Sequence, residues 1–136
     1  MVNADEVVER FALEPHPEGG AYRRVFTSTE EVDGRPVETA ILYLLRDGEL
    51  SRWHRIDATE TWSFEDGAPM GLRISGDGVS VAHHLVEEGA PVTVPAHAWQ
   101  SAVSMGAWSL VRCAVRPGFS FDGFEMAPPS WSPPGG

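Results

Sequence analysis

Apolar and polar residues alternate with a period of two along most of this chain, and only its first stretch repeats at helical spacing. Val7, Val8, Phe11 and Leu13 mark one helix face, with Asp5 as the cap and Pro15 as the stop. A connector over residues 14–20, E-P-H-P-E-G-G, is rigid and then flexible. Strand patterns follow over residues 21–28, 37–45, 79–86, 96–103 and 107–115, with two short strands within 63–74. Turn signals separate them, among them Asp33-Gly34-Arg35-Pro36, Arg46-Asp47-Gly48-Glu49 and Gly76-Asp77-Gly78. Many short strands with close turns predict an all-β antiparallel sandwich or barrel of jelly-roll type, preceded by a short N-terminal helix. The pattern places one domain over residues 1–127, the helix lying within 1–14. The Pro/Gly-rich tail at 128–136 is expected to fray or pack loosely.

Composition narrows the functional classes. The net charge of −10 and pI near 4.8 argue against nucleic acid or an anionic membrane as partner, since both are negative. The single cysteine, Cys113, allows neither an internal disulfide nor a cysteine metal site and reads as a small buried hydrophobe. The start lacks the pattern of a signal peptide, and no segment is long and apolar enough to cross a bilayer, so a cytoplasmic location is the expectation.

Candidate chemistry concentrates in residues 48–67, G-E-L-S-R-W-H-R-I-D-A-T-E-T-W-S-F-E-D-G. In a bent strand pair, Arg52, His54 and Ile56 share one face, and Glu60, Trp62 and Phe64 share another beyond the loop Asp57-Ala58-Thr59. A barrel mouth lined by one imidazole, one carboxylate and aromatics is the natural ligand site. Trp53 and Trp99 fall on the faces opposite His54 and Gln100, which assigns them to packing. Phe119, Phe121 and Phe124 read as a plug at one barrel end, and His16, between prolines, as a surface residue.

Two segments resemble the paired motifs of the cupin superfamily. Gly48, His54, Glu60 and Gly67 fall on G-x5-H-x-H-x3-E-x6-G without insertion, with Ile56 at the second histidine. Gly89 and Pro95 fall on G-x5-P-x-G-x2-H-x3-N, with His97, Gln100 and Ser104 at the glycine, histidine and asparagine. The strings Pro17-Glu18-Gly19-Gly20, Ser51-Arg52-Trp53-His54-Arg55, Glu60-Thr61-Trp62 and Pro117-Gly118-Phe119-Ser120-Phe121 further resemble the fifth cupin domain family. That resemblance implies a double-stranded β-helix (cupin jelly roll), commonly a homodimer, related in fold to the dTDP-sugar 3,5-epimerases. The chain departs from the family pattern at Arg24, Thr59 and His97, where acidic, acidic and small residues are usual.

A cupin centre holds its metal with three imidazoles and a carboxylate, and this chain retains only His54 and Glu60 of that set. No cofactor is therefore expected. A divalent metal is disfavoured, with His54, Glu60 and Gln100 as its candidate ligands. By likeness to the epimerases, the leading reading is a metal-independent epimerase- or isomerase-like enzyme acting on a sugar or other small polar carbonyl compound. His54 would be the base, Glu60 its orienting carboxylate and Tyr22 the opposing acid. Arg23 or Arg52 would hold an anionic handle, while Trp62, Phe64 and Gln100 would line the ligand. A non-catalytic small-molecule-binding or sensor cupin is the alternative, and a metal-dependent oxygenase is the outsider.

Overall fold

Alternating apolar residues can bury one face of a strand only against a second sheet. The chain forms two large sheets that meet this way, with a separate two-stranded ribbon of its third and fourth strands. The structure is a computed structural model and describes residues 2–135. A helix α1 (Ala4–Phe11) is followed by strands β1 (Glu14–Pro15), β2 (Ala21–Thr27), β3 (Glu31–Val32), β4 (Arg35–Pro36), β5 (Thr39–Arg46), β6 (Leu50–Ile56) and β7 (Thr59–Gly67). Strands β8 (Met70–Ser75), β9 (Ala82–Val86), β10 (Val92–Val94), β11 (Trp99–Ser104), β12 (Trp108–Arg116) and β13 (Phe124–Met126) complete the chain. One sheet runs β1-β2-β5-β12-β7-β10 and the other β13-β6-β11-β8-β9, every pairing antiparallel, packed as a jelly roll. Among the described residues no helix is long and apolar enough to cross a membrane.

The inner faces meet through Tyr43, Leu45, Trp62, Met70, Leu72 and Val111, all fully or almost fully buried. Strand β5 reads as an unbroken apolar run because it is covered on both sides. Its outward Leu44 is roofed by Val7 of α1, together with Leu13, Ala21 and Leu110. The helix begins two residues earlier than Asp5 as cap implies: Asn3 accepts from the Glu6 amide, and Ala12 ends it in a left-handed turn before Pro15 is reached. Strand β9 is shorter than its pattern and exposes both His83 and His84 at a sheet edge, so neither reaches the interior.

Two expectations need correction. The tail does not fray. Trp131 packs edge-on to Trp53 at 6.2 Å and against Trp99 at 4.8 Å, Pro133 is fully buried, and the Gly135 amide donates to the Val79 carbonyl at 2.7 Å. The outward-facing rings of Trp53 and Trp99, which the tail covers, are the apolar surface that orders it.

The second correction concerns Arg52. Gln100 pairs with His54 but Ala102 pairs with Ser51, so β6 carries one extra residue opposite β11. That bulge shifts the alternation, turning Ser51 rather than Arg52 to the His54 side. Arg52 instead donates to the Ala127 carbonyl at 3.1 Å, fastening the base of the tail.

Candidate functional site

The two sheets part at the end where Ile56, Ala58 and Val115 form a small cluster with Phe119 and Phe124. A cavity of about 170 Å³ opens there. Glu18, His54 and Glu60 form its buried polar part, 5%, 2% and 7% exposed. Strand β6 delivers His54, β7 delivers Glu60, and the loop between β1 and β2 delivers Glu18.

The Glu18 loop depends on two glycines. Gly19 and Gly20 have φ of 108° and 83°, a region side chains rarely enter, and a Cβ on Gly19 would strike the Leu50 carbonyl. The close approach lets the Arg52 amide donate to the Glu18 carbonyl at 2.9 Å, and the Tyr43 hydroxyl donates to the Gly19 carbonyl. The carboxyl of Glu18 is thereby driven into the barrel, where Ser51 Oγ donates to its Oε1 at 3.0 Å.

His54 stands between a backbone carbonyl and that carboxyl. Its Nδ1 lies 2.7 Å from the Arg52 carbonyl oxygen, which only accepts, so Nδ1 carries a hydrogen. Its Nε2 lies 3.1 Å from Glu18 Oε2, leaving one proton for the two atoms. Burial lowers the His54 pKa from its ordinary value, against the opposing influence of Glu60. Burial also pushes Glu18 up to about 8, although the hydrogen bond from Ser51 pulls the other way. The neutral arrangement follows: Glu18 is a carboxylic acid donating to the unprotonated Nε2 of a neutral imidazole. The carboxyl that orients the ring is therefore Glu18, and not Glu60 as the sequence alone implies.

Glu60 is the second raised carboxyl, at about 7, with burial the largest cause, opposed by any positive charge on His54 and by the hydrogen bond from Gln100. Gln100 Nε2 donates to Glu60 Oε1 at 2.8 Å, and Trp62 Nε1 donates to Gln100 Oε1 at 2.9 Å. This chain fixes Gln100 and Trp62 behind Glu60, so both support the cavity floor without lining the cavity. Phe64 packs into the core in the same way. Of the expected ligand contacts, Arg23 also lies elsewhere: exposed, it donates to the Phe11 carbonyl at 3.3 Å. Tyr22 does line the cavity, as do His54 and Glu60.

The aromatic wall comes from a different part of the chain. Phe124 stacks on the His54 ring with centroids 5.8 Å apart, and Phe119 and Phe121 cluster with it. The predicted plug is thus a wall of the cavity, with Phe121 68% exposed at its mouth. His16 is likewise no surface residue. It is half-buried on the cavity wall against Tyr22 and Tyr43, and burial lowers its pKa to about 4.

Sequence reasoning missed Glu18, His16 and Arg24, the cavity's arginine. Signals for two of them were present. A carboxylate directly before two glycines announces a backbone turned sharply inward, and strand alternation already places Arg24 on the Tyr22 face.

A family profile described as Cupin superfamily (DUF985) matches residues 5–127. Among solved structures, a protein from Shewanella oneidensis is 32% identical with a TM-score of 0.88, covering 93% of this chain and 85% of that one. A hypothetical protein from Leishmania major is 29% identical with a TM-score of 0.85, covering 93% and 88%. Oxalate decarboxylase from Bacillus subtilis shares the fold at 16% identity and a TM-score of 0.67, over 82% of this chain and 29% of that chain. No curated protein matches the chain in sequence.

The donors of a cupin metal centre do not fit what stands here. Ile56 has no donor atom, and both polar ends of Gln100 are engaged by Trp62 and Glu60. Among the described residues, no three His, Cys, Asp or Glu side chains group so as to hold a metal ion.

Proposed function

The chain belongs to that cupin family, and from this premise we propose a metal-independent proton-transfer enzyme, of isomerase or epimerase type, acting on a small carbonyl compound. One observation carries the reading: two buried carboxyls, Glu18 and Glu60, share one cavity with His54, Glu18 lying 3.1 Å from its Nε2, and burial raises the pKa of both. Groups poised near neutrality both take and return protons at modest driving force.

The roles follow from the hydrogen bonds. Glu60, partly ionised near pH 7, takes the proton from a C–H beside the carbonyl, and the electron pair moves onto the carbonyl oxygen as an enolate. The proton shared by Glu18 and His54 is delivered to that oxygen, leaving the Glu18 carboxylate. Glu60 then returns its proton to carbon: to the neighbouring carbon of an enediol for isomerisation or, once the enol has turned over in the cavity, to the opposite face of the same carbon for epimerisation. The hydroxyl that becomes the carbonyl gives its proton back to the Glu18 carboxylate. Tyr22 borders the reacting groups, and the phenylalanine wall excludes water.

Proton NMR in deuterium oxide tests this directly, following loss of C–H signal from a panel of ketoses and 2-oxo acids. His54→Gln and Glu60→Gln should each slow exchange by about 100-fold or more. Exchange that is unaffected by either change contradicts the roles. Stoichiometric iron, manganese or nickel in protein purified without chelator overturns the metal-free reading.

A binding or sensor protein without turnover is the second reading. It is favoured by one observation: no buried side-chain nitrogen or oxygen among the described residues lacks a hydrogen-bond partner. Native mass spectrometry that finds a retained metabolite, with no exchange from that compound, selects it. A homodimer, with Val25 and Phe26 of β2 as exposed apolar surface, is part of the proposal and is checked by sedimentation.

A further inference from the structure

The floor of the cavity accounts for proton chemistry, and its walls bear on what enters. Its volume of about 170 Å³ is close to the roughly 150 Å³ of an apolar cavity that accepts one benzene ring. Most of the wall is apolar: Ala40, Ile41, Ile56, Val115, Phe119 and Phe124. A polyhydroxylated sugar leaves its hydroxyls unpaired against such a wall, whereas a ring or branched alkyl body matches it.

The rim adds charge. Arg24 is the only arginine or lysine among the lining residues described, and it is exposed at the mouth. It pairs in register with Ile41, a wall residue, so its side chain leaves from the inner face of β2. Immediately after it a bulge breaks the alternation, and Val25 and Phe26 stand 44% and 41% exposed. Arg24 thus leaves the inner face of its strand where the bulge begins. Among the described residues its guanidinium makes no ion pair, although Glu14 shares the rim.

We infer that the ligand is a small monocarboxylic acid whose one-ring or branched-alkyl body packs on the phenylalanine wall while its carboxylate meets Arg24. A planar guanidinium matches a carboxylate with two parallel hydrogen bonds. A dianionic phosphate suits the rim less, because the site offers one arginine beside Glu14 on a chain of net charge −10. The inference deepens the proton-transfer reading by making the substrate an aryl or branched-alkyl oxo acid, and rests on that reading only for the reaction.

The test is a titration with 3-phenylpropionate and its neutral amide, which share one body and differ in the charged end. On the unmodified protein the acid should bind about tenfold more tightly or better. In Arg24→Gln that preference should fall to near parity with the amide unchanged. Arg24→Lys should restore part of it, and Glu14→Gln should tighten the acid.

Equal binding of acid and amide by the unmodified protein overturns the inference. So does a preference that survives Arg24→Gln, or no binding of either probe up to its solubility limit. The two readings fail separately. Acid binding governed by Arg24, with no deuterium exchange into any 2-oxo acid, removes proton transfer and leaves the ligand class. Exchange into neutral ketoses at a rate indifferent to Arg24→Gln does the reverse.

Discussion

Trp53 and His54 are adjacent on β6 and face opposite sides of the same sheet, and the two sides are built on different physics. Outside, Trp53 and Trp99 pack against Trp131, with the Arg73 guanidinium 4.9 Å from the Trp53 ring and that of Arg55 4.5 Å from Trp99. Those contacts bury apolar surface and leave the charged groups near water, so nearly every term favours the folded state. Inside, Glu18, His54 and Glu60 lose their hydration, and burial opposes the charge of each. The outer face holds the strand in place; the inner face keeps groups that cost stability and are available for chemistry.

The largest expected effects separate the faces. Trp53→Ala should remove about 3–5 kcal/mol of stability in a denaturant titration, while the folded fraction keeps its proton exchange. His54→Gln should abolish exchange and change stability far less. If the two substitutions act alike on both measurements, the division between faces fails.

The tail comes next. Trp131→Ala should cost about 2 kcal/mol, as should removal of residues after Ala127, because either change uncovers Trp53 and Trp99. A thermal midpoint unchanged by both would return the tail to the loosely packed state that its sequence suggests.

The inner face has its own signature in pH. A carboxyl whose folded pKa is raised binds its proton more tightly folded than unfolded, so its contribution to stability is lost as pH rises through the folded value. A histidine with a lowered pKa acts oppositely, its contribution being lost as pH falls below its unfolded value. His16, lowered from 6.5 to about 4, and His54 therefore offset the carboxyls below pH 6.5. Above it only Glu60, at about 7, and Glu18, at about 8, remain. Stability should fall by about 2 kcal/mol between pH 6.5 and 8, read from urea midpoints. A flat profile there removes the raised carboxyls from the account.

The smallest effect sharpens the same point. Glu60→Gln keeps an oxygen for Gln100 Nε2 and removes the ionisation, so it should raise stability at pH 8 while abolishing exchange. A loss of stability there would mean that the Glu60 charge is compensated in the fold.

The two faces also differ in how legible they were in the sequence. Alternation and turn residues specify the strands and the jelly roll, and the spacing of Gly48, His54, Glu60 and Gly67 brings His54 and Glu60 to one cavity. What escaped is whatever depends on a break in alternation or a distant partner. A one-residue bulge in β6 moves Arg52 off the His54 face and puts Ser51 there. Glu18 reaches His54 only because Gly19 and Gly20 bend the chain against Leu50, and Gln100 proves to be a brace held by Trp62. The tail carries little periodicity of its own, and its order comes from tryptophans far away in sequence.

One proton lies between Glu18 and His54, and nitrogen-15 NMR of the histidine rings reads its position directly. At pH 7 the His54 ring should be neutral, hydrogenated on Nδ1 toward the Arg52 carbonyl, with Nε2 unprotonated and accepting from Glu18. The same tautomer should persist in Glu18→Gln. An imidazolium at pH 7, or a hydrogen on Nε2 of a neutral ring, would place the proton on His54 and make Glu18 a carboxylate, contradicting the floor proposed for this cavity.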